Sequence, residues 1–427
     1  MKNNEIFKGI YGYSEEKESI KRIVDMLNNP KKYEDLGCDM LKGLLLYGPP
    51  GTGKTSLSLA ILNAVNRPNF IIRKESTSDK LNEVLKTTFD KAIKSAPSII
   101  LLDDLDKFDS TEYSEDNSYI VQSLIDSVKD KDVYIIATVN DITKLPSSLT
   151  RKGRFDVKIE ITNPAEKDSD QIIKHYLSSK KLSKDVNFDR VCNLLAGYSC
   201  ADIESVCKKA GILAGYKNQN EILMGDIINS ALELLYGGEE NEIDNDKNEN
   251  LKEVAYHEAG HVLVGEILNP GSVRFASVTR NFVKQGVAAY HKEIKGDDDQ
   301  NQRNALTRVL AGKAATEVVF NRCDVGANSD LGKAFRIARK FVDSYCSEGF
   351  DSWFDSRDET SERVKANKDE QSSRMVKEHY NKAKEILISN RDKLDKIASS
   401  LIENKILFED EIKTLMDSYK VKEYGNS

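Results

Sequence analysis

The octapeptide Gly48-Pro49-Pro50-Gly51-Thr52-Gly53-Lys54-Thr55 stands directly after the apolar run Leu44-Leu45-Leu46 and before a stretch of helical periodicity. A glycine-rich turn in that setting commits its neighbourhood to a strand, a tight loop and a helix, and so to a layered α/β domain. Four more short apolar runs follow: Phe70-Ile71-Ile72, Ile99-Ile100-Leu101-Leu102, Val133-Tyr134-Ile135-Ile136 and Val157-Lys158-Ile159-Glu160-Ile161. Amphipathic segments such as residues 79–94 and 118–128 separate them. Continuous apolar strands between helices predict a largely parallel sheet covered on both faces.

From about Lys167 to Tyr236 the strand signals stop and helical periodicity takes over, which predicts a small helical domain. The segment from Gly237 to Asp246 is rich in Gly, Asn and acid and reads as an exposed linker. Beyond it the pattern is mainly helical, with one β-like interval from Ser272 to His291. The charge-dense stretch Asp355 to Ser373 reads as a mobile loop, and Met375 to about Tyr419 as helix. The expected divisions are 1–163 and 164–236 for the α/β and helical parts, 237–250 for the linker, 251–420 for the second domain and 421–427 for a tail. A chain of 427 residues is long enough for such a series.

The octapeptide fits G-x-x-x-x-G-K-[ST]. Its loop, from Gly48 through Pro49, Pro50, Gly51, Thr52 and Gly53, can turn backbone N–H groups toward nucleotide phosphates. Lys54 would neutralise phosphate charge and Thr55 would ligand Mg²⁺, which makes ATP and Mg²⁺ the expected cofactors. Asp103, ending an apolar strand, is the expected metal-binding carboxylate, with Asp104 after it.

A second motif, His257-Glu258-Ala259-Gly260-His261, sets two imidazoles one helical turn apart on the same face. His257 and His261 can then bind one Zn²⁺, with Glu258 beside it as general base. A hydrolytic zinc needs a third protein ligand. His291 and His379 are available by type, although each reads more simply as an ordinary surface or core histidine.

Lys and Arg number 63 against 70 Asp and Glu, a net charge of −7 without a dense basic run, which argues against a nucleic-acid partner. No stretch approaches eighteen uncharged apolar residues, and the polar start lacks a signal-peptide core. The six cysteines form no close C-x-x-C pair and read as reduced thiols of a cytoplasmic protein.

With Arg151-Lys152-Gly153-Arg154-Phe155-Asp156 added, the chain resembles AAA+ ATPases, specifically the FtsH-type membrane-protease family, from about Phe7 to Met416. The resemblance implies an AAA+ α/β module with a helical lid, followed by a mainly α-helical zinc protease domain. It implies that Asn140 senses the γ-phosphate, that Arg151 and Arg154 enter a neighbouring subunit's site, and that the subunits form a ring, usually a homohexamer. It also implies Asp330 as the third zinc ligand, with Asp324 as the nearby competitor and a helix N-cap as the simpler reading of Asp330 from its residue type alone. It implies too that the interval from Ser277-Val278-Thr279 to Gly286-Val287-Ala288-Ala289-Tyr290 is the substrate-side strand. The chain departs from the family pattern at Asp104, where the family has Glu, and in Glu75 to Leu85, where the substrate-gripping loop lacks its aromatic residue and glycines. The family's N-terminal membrane anchor does not precede Phe7, so a soluble form is expected. The function expected is ATP-dependent zinc endopeptidase action on proteins or peptides. The rivals are a zinc peptidase whose ATPase is mainly regulatory and a non-proteolytic remodelling chaperone.

Overall fold

The computed structural model describes residues 6–73, 81–108, 114–151, 153–236, 248–278, 286–291, 298–322, 327–345 and 362–417. The chain folds into two compact units, Met1–Leu182 with Leu195–Ile212, and Ser183–Leu194 with Leu213–Ser427. The gripping-loop residues 75–80, the linker residues 237–247 and Asp324 lie outside the described residues.

The first unit begins with α1 (Ser14–Asn28) and α2 (Pro30–Glu34), followed by β1 (Gly43–Tyr47), α3 (Lys54–Ala64) and β2 (Asn69–Arg73). Then come α4 (Leu81–Lys94), β3 (Ser98–Asp103), α5 (Ser114–Ser127), β4 (Val133–Val139), β5 (Val157–Glu160) and α6 (Glu166–Ser178). The five strands expected from the apolar runs form one parallel sheet in the order β2-β3-β4-β1-β5. Side chains alternate across a strand, so one set of residues serves each face. Leu45, Ile100, Leu102, Ile135 and Ala137 pack with Leu85 and Phe89 of α4 and Val121 and Ile125 of α5. The alternate residues Leu44, Leu46, Leu101 and Ile136 are equally buried, on the face covered by α3. Burying each such side chain contributes about 1.5–3 kcal/mol.

Helical structure follows in α7 (Phe188–Leu195), α8 (Cys200–Tyr216) and α9 (Met224–Tyr236). Next are α10 (Asn248–Leu268), β6 (Val273–Ser277), β7 (Val287–Tyr290), α11 (Asp299–Phe320) and α12 (Asn328–Asp343). The chain continues through α13 (Glu362–Ser389), α14 (Arg391–Asn404), β8 (Ile406–Phe408) and α15 (Glu409–Asp417). α10 starts at Asn248, inside the span read as linker. Its first turn is polar, but from Ala255 to Glu266 it is buried on nearly every side: Ala255, Ala259, Val262, Leu263 and Val264 have no exposed surface. α11, α13 and α14 pack against it.

Two readings of this region are corrected. Residues 362–373, read as mobile loop, are the first turns of α13. Their charge density hides a narrow inward stripe of Lys368, Gln371, Ser372 and Met375, which is all a helix needs when one face is solvated. The expected helix from Met375 onward is interrupted: Lys405 takes a left-handed conformation (φ 63°) and Ile406–Phe408 pair antiparallel with β6. Three apolar residues between helices carry too little periodicity to announce a strand. No described helix is long and apolar enough to cross a membrane.

His379 of α13 is buried and its Nδ1 lies 2.7 Å from Thr307 Oγ1 of α11. Burial, then Lys382 and Arg303, push its pKa down to about 4, with Asp299 opposing them. The folded state therefore takes up this proton later than the unfolded state as pH falls, and stability is lost from about pH 6.5 downward. In metal-free protein, lowering the pH from 7 to 4.5 should cost the wild type about 2–3 kcal/mol more than it costs His379→Gln, read from urea melts. Equal pH slopes would contradict the assignment.

Candidate functional site

In the second unit, His257 and His261 lie one turn apart on buried α10, with ring centroids 4.8 Å apart. Asp330 comes to them from α12. Its Oδ2 lies 3.1 Å from His257 Nε2 and 3.0 Å from His261 Nε2, and the two nitrogens are 3.2 Å apart. Asp330 is not a helix N-cap: Ala327 holds that position, and Asp330 is the third residue of α12 with its side chain turned inward. The near-equilateral triangle is close to the spacing of roughly 3.3 Å that tetrahedral zinc imposes on ligands bound at about 2.0–2.1 Å.

The surroundings orient these groups. His261 Nδ1 is 2.8 Å from the Arg308 carbonyl, so an Nδ1–H donates there and Nε2 keeps its lone pair for a metal. Lys333 donates to Asp330 Oδ1 at 3.0 Å, leaving Oδ2 to the histidines. Burial pushes the Asp330 carboxyl up, but the adjoining imidazoles of His257 and His261, with Lys333, outweigh it and hold the group far below the usual carboxylate range. Glu258 is only 5% exposed, and its Oε2 is buried with no hydrogen-bond partner among the described residues. Burial raises its pKa against the pull of both histidines.

Two glycines make room here. A Cβ on Gly312 would lie 2.5 Å from His257 Nε2 and 2.6 Å from His261 Nε2. One on Gly286 would lie 2.6 Å from Glu258 Oε1. The sequence reading missed both roles, as well as those of Arg308 and Lys333; the run of small residues around Gly312 was the available signal. The triangle is the only metal-capable cluster of three among the described residues, and it fits zinc in donor type and spacing. His291 instead faces Glu409 at 3.3 Å, and His379 belongs to the α11–α13 contact. β7, at the edge of the three-stranded sheet β7-β6-β8, starts next to Glu258 through Gly286.

In the first unit the phosphate-binding candidates gather at the carboxyl ends of the parallel strands, where such sheets hold ligands. The loop after β1 takes positive φ at Gly48, Gly51 and Gly53 (135°, 76° and 96°), which turns its N–H groups inward ahead of α3. Thr52 bonds the Pro49 carbonyl, and Lys54 Nζ donates to the carbonyls of Gly48 and Pro49, each at 2.7 Å. Burial lowers the Lys54 pKa, opposed by Asp104, Asp106 and Asp103.

Thr55 Oγ1 donates to Asp103 Oδ1 at 2.9 Å, joining the two expected Mg²⁺ ligands. Thr138 donates to the same oxygen at 2.8 Å and accepts from the Asp104 N–H, a role with no signal in the sequence. Asp104 is held left-handed (φ 57°), its carboxylate shared by Asn140 Nδ2 at 3.3 Å and Lys107 Nζ at 2.7 Å. Arg151 is exposed. Arg154 forms a two-pronged pair with Asp126, at 2.9 and 2.7 Å, and also donates to the Ser148 carbonyl. That pair takes the Asp126 pKa down to about 2.

Comparison with known proteins finds matches along both parts of the chain. Residues 44–163 match the model of the ATPase family associated with various cellular activities, residues 185–229 the AAA+ lid domain, and residues 245–415 peptidase family M41. The chain is 32% identical to ATP-dependent zinc metalloprotease FtsH 2 of Thermoanaerobacter sp. (strain X514), over 97% of this chain and 84% of that protein. It is 31% identical to FtsH of Karelsulcia muelleri (97% and 71%) and 29% identical to FtsH of Bacillus subtilis (96% and 70%).

Proposed function

This chain belongs to the FtsH family of ATP-dependent zinc metalloproteases, and from that premise we propose that His257, His261 and Asp330 hold zinc while Glu258 handles the proton in peptide-bond hydrolysis. The protein is an ATP-dependent zinc metalloprotease whose substrates are proteins. The observation that carries the residue assignment is the triangle of donor atoms beside a buried carboxylate oxygen with no partner of its own among the described residues.

Held by His257, His261 and Asp330, zinc would supply Lewis-acid polarisation for the hydrolysis. Glu258 is poised to accept that water's proton at Oε2 and return it to the leaving amine, and its raised pKa suits a base that must also act as an acid. The Arg308 carbonyl and Lys333 keep His261 and Asp330 turned toward the ligand position. β7, an edge strand among the described residues, can pair with an extended substrate backbone and lay it past Glu258.

In the ATPase unit, loop N–H groups and Lys54 would bind the phosphates. Thr55 and Asp103 would hold Mg²⁺, and Asp104 with Asn140 would orient the attacking water. The division into 1–163, 164–236 and 251–420, and assembly as a homohexamer with Arg151 and Arg154 reaching a neighbouring site, belong to the same proposal. Arg154 can reach a neighbour only by releasing Asp126. In the purified full chain, casein turnover should require ATP with Mg²⁺ and stop on adding a zinc chelator; proteolysis that ignores the chelator would overturn the mechanism.

A further inference from the structure

The sheet register sets Arg73, the last residue of β2, beside Asp103, the last residue of β3. The Arg73 guanidinium then lies on the Asp103 carboxylate, Nε to Oδ2 at 2.9 Å. The other carboxylate oxygen already receives Thr55 and Thr138, so three of the roughly four acceptor directions of this buried acid are engaged by the chain. One turn on, Lys107 covers Asp104 Oδ2 at 2.7 Å. Among the described residues, the three carboxylates of this corner, Asp103, Asp104 and Asp106, face three cations, Lys54, Arg73 and Lys107.

We propose that Arg73, assisted by Lys107, is a positioning residue that stands in for the divalent cation at the phosphate site, so that this chain takes up ATP with little dependence on Mg²⁺. The inference rests on the nucleotide-site reading above. Two physical effects act in the same direction. A nucleotide arriving without metal meets acids whose charge is already balanced, which removes much of the repulsion those carboxylates would exert on phosphates. A metal arriving with the nucleotide must compete with a guanidinium for Asp103, which weakens what the metal adds. Arg73 is the stronger element because its partner is buried and the register fixes it, whereas the Lys107 pair is more exposed and more easily screened.

The test is the affinity of the full chain for a fluorescent ATP analogue, measured in Mg²⁺ and again in EDTA. The wild-type ratio should be small, about threefold or less, whereas Arg73→Ala should raise it by about tenfold, chiefly by weakening binding in EDTA. Lys107→Ala should raise it less, and Arg73→Lys should restore most of the wild-type ratio. Loss of fold would lower affinity in both conditions and leave the ratio unchanged. A ratio in Arg73→Ala equal to that of the wild type, with binding retained, overturns this inference and leaves the nucleotide site standing. No binding by the wild type in either condition overturns the nucleotide site, and this inference with it.

Discussion

Replacing Glu258 by Gln should lower peptide-bond hydrolysis by about 10³-fold or more while zinc content and nucleotide binding stay at wild-type levels. The substitution keeps the shape and removes only the ability to take a proton. Glu258 is buried and its Oε2 bonds to nothing among the described residues, so no structural hydrogen bond at that oxygen is lost with the charge. A neutral amide should even sit more easily there, since burial already disfavours the ionised carboxyl. Folding stability should therefore hold or rise slightly. The measurement is cleavage of a quenched fluorescent peptide beside bound zinc determined by atomic absorption. Residual activity within tenfold of the wild type would show that another group takes the proton.

Much of both sites was legible in the residues, for physical reasons that differ from site to site. A phosphate loop and an H-E-x-x-H helix are local constructions: spacing alone sets Lys54 against its own loop carbonyls, and His257 over His261. The inner strands β3 and β4 were legible because burial on both faces leaves no polar alternation to confuse them. What escaped depends on contacts distant in sequence. Thr138 reaches Asp103 across 35 positions and Asp330 reaches His257 across 73, and nothing in either local pattern marks the partner. Asp330 was named through family resemblance, since near a helix start its own residue type points to capping. The start of α13 was misread because a helix that buries one narrow stripe can be as charged as a loop. β8 was missed because its three residues become a strand only when β6 is beside them.

Gly312→Ala should abolish stoichiometric zinc binding, with a loss of affinity of about 100-fold or more, and proteolysis should fall with it. In most helices this change is favourable by about 0.8–1 kcal/mol. Gly312 is different because its missing side chain is the space beside the ligand atoms: the new methyl would lie 2.5 Å from His257 Nε2, 2.6 Å from His257 Cε1 and 2.6 Å from His261 Nε2. Both rings lie against Gly312 of α11, and His261 is buried and tied to the Arg308 carbonyl, so a ring that swings away breaks the triangle with Asp330. Gly332 of α12 supplies the control, because a Cβ there meets nothing within 4 Å. Gly332→Ala should keep full zinc content and gain a few tenths of a kcal/mol or more in stability. Zinc stoichiometry and helical circular dichroism on both variants separate the outcomes. A Gly312→Ala protein that is folded and fully zinc-loaded would mean that the metal does not lie among His257, His261 and Asp330.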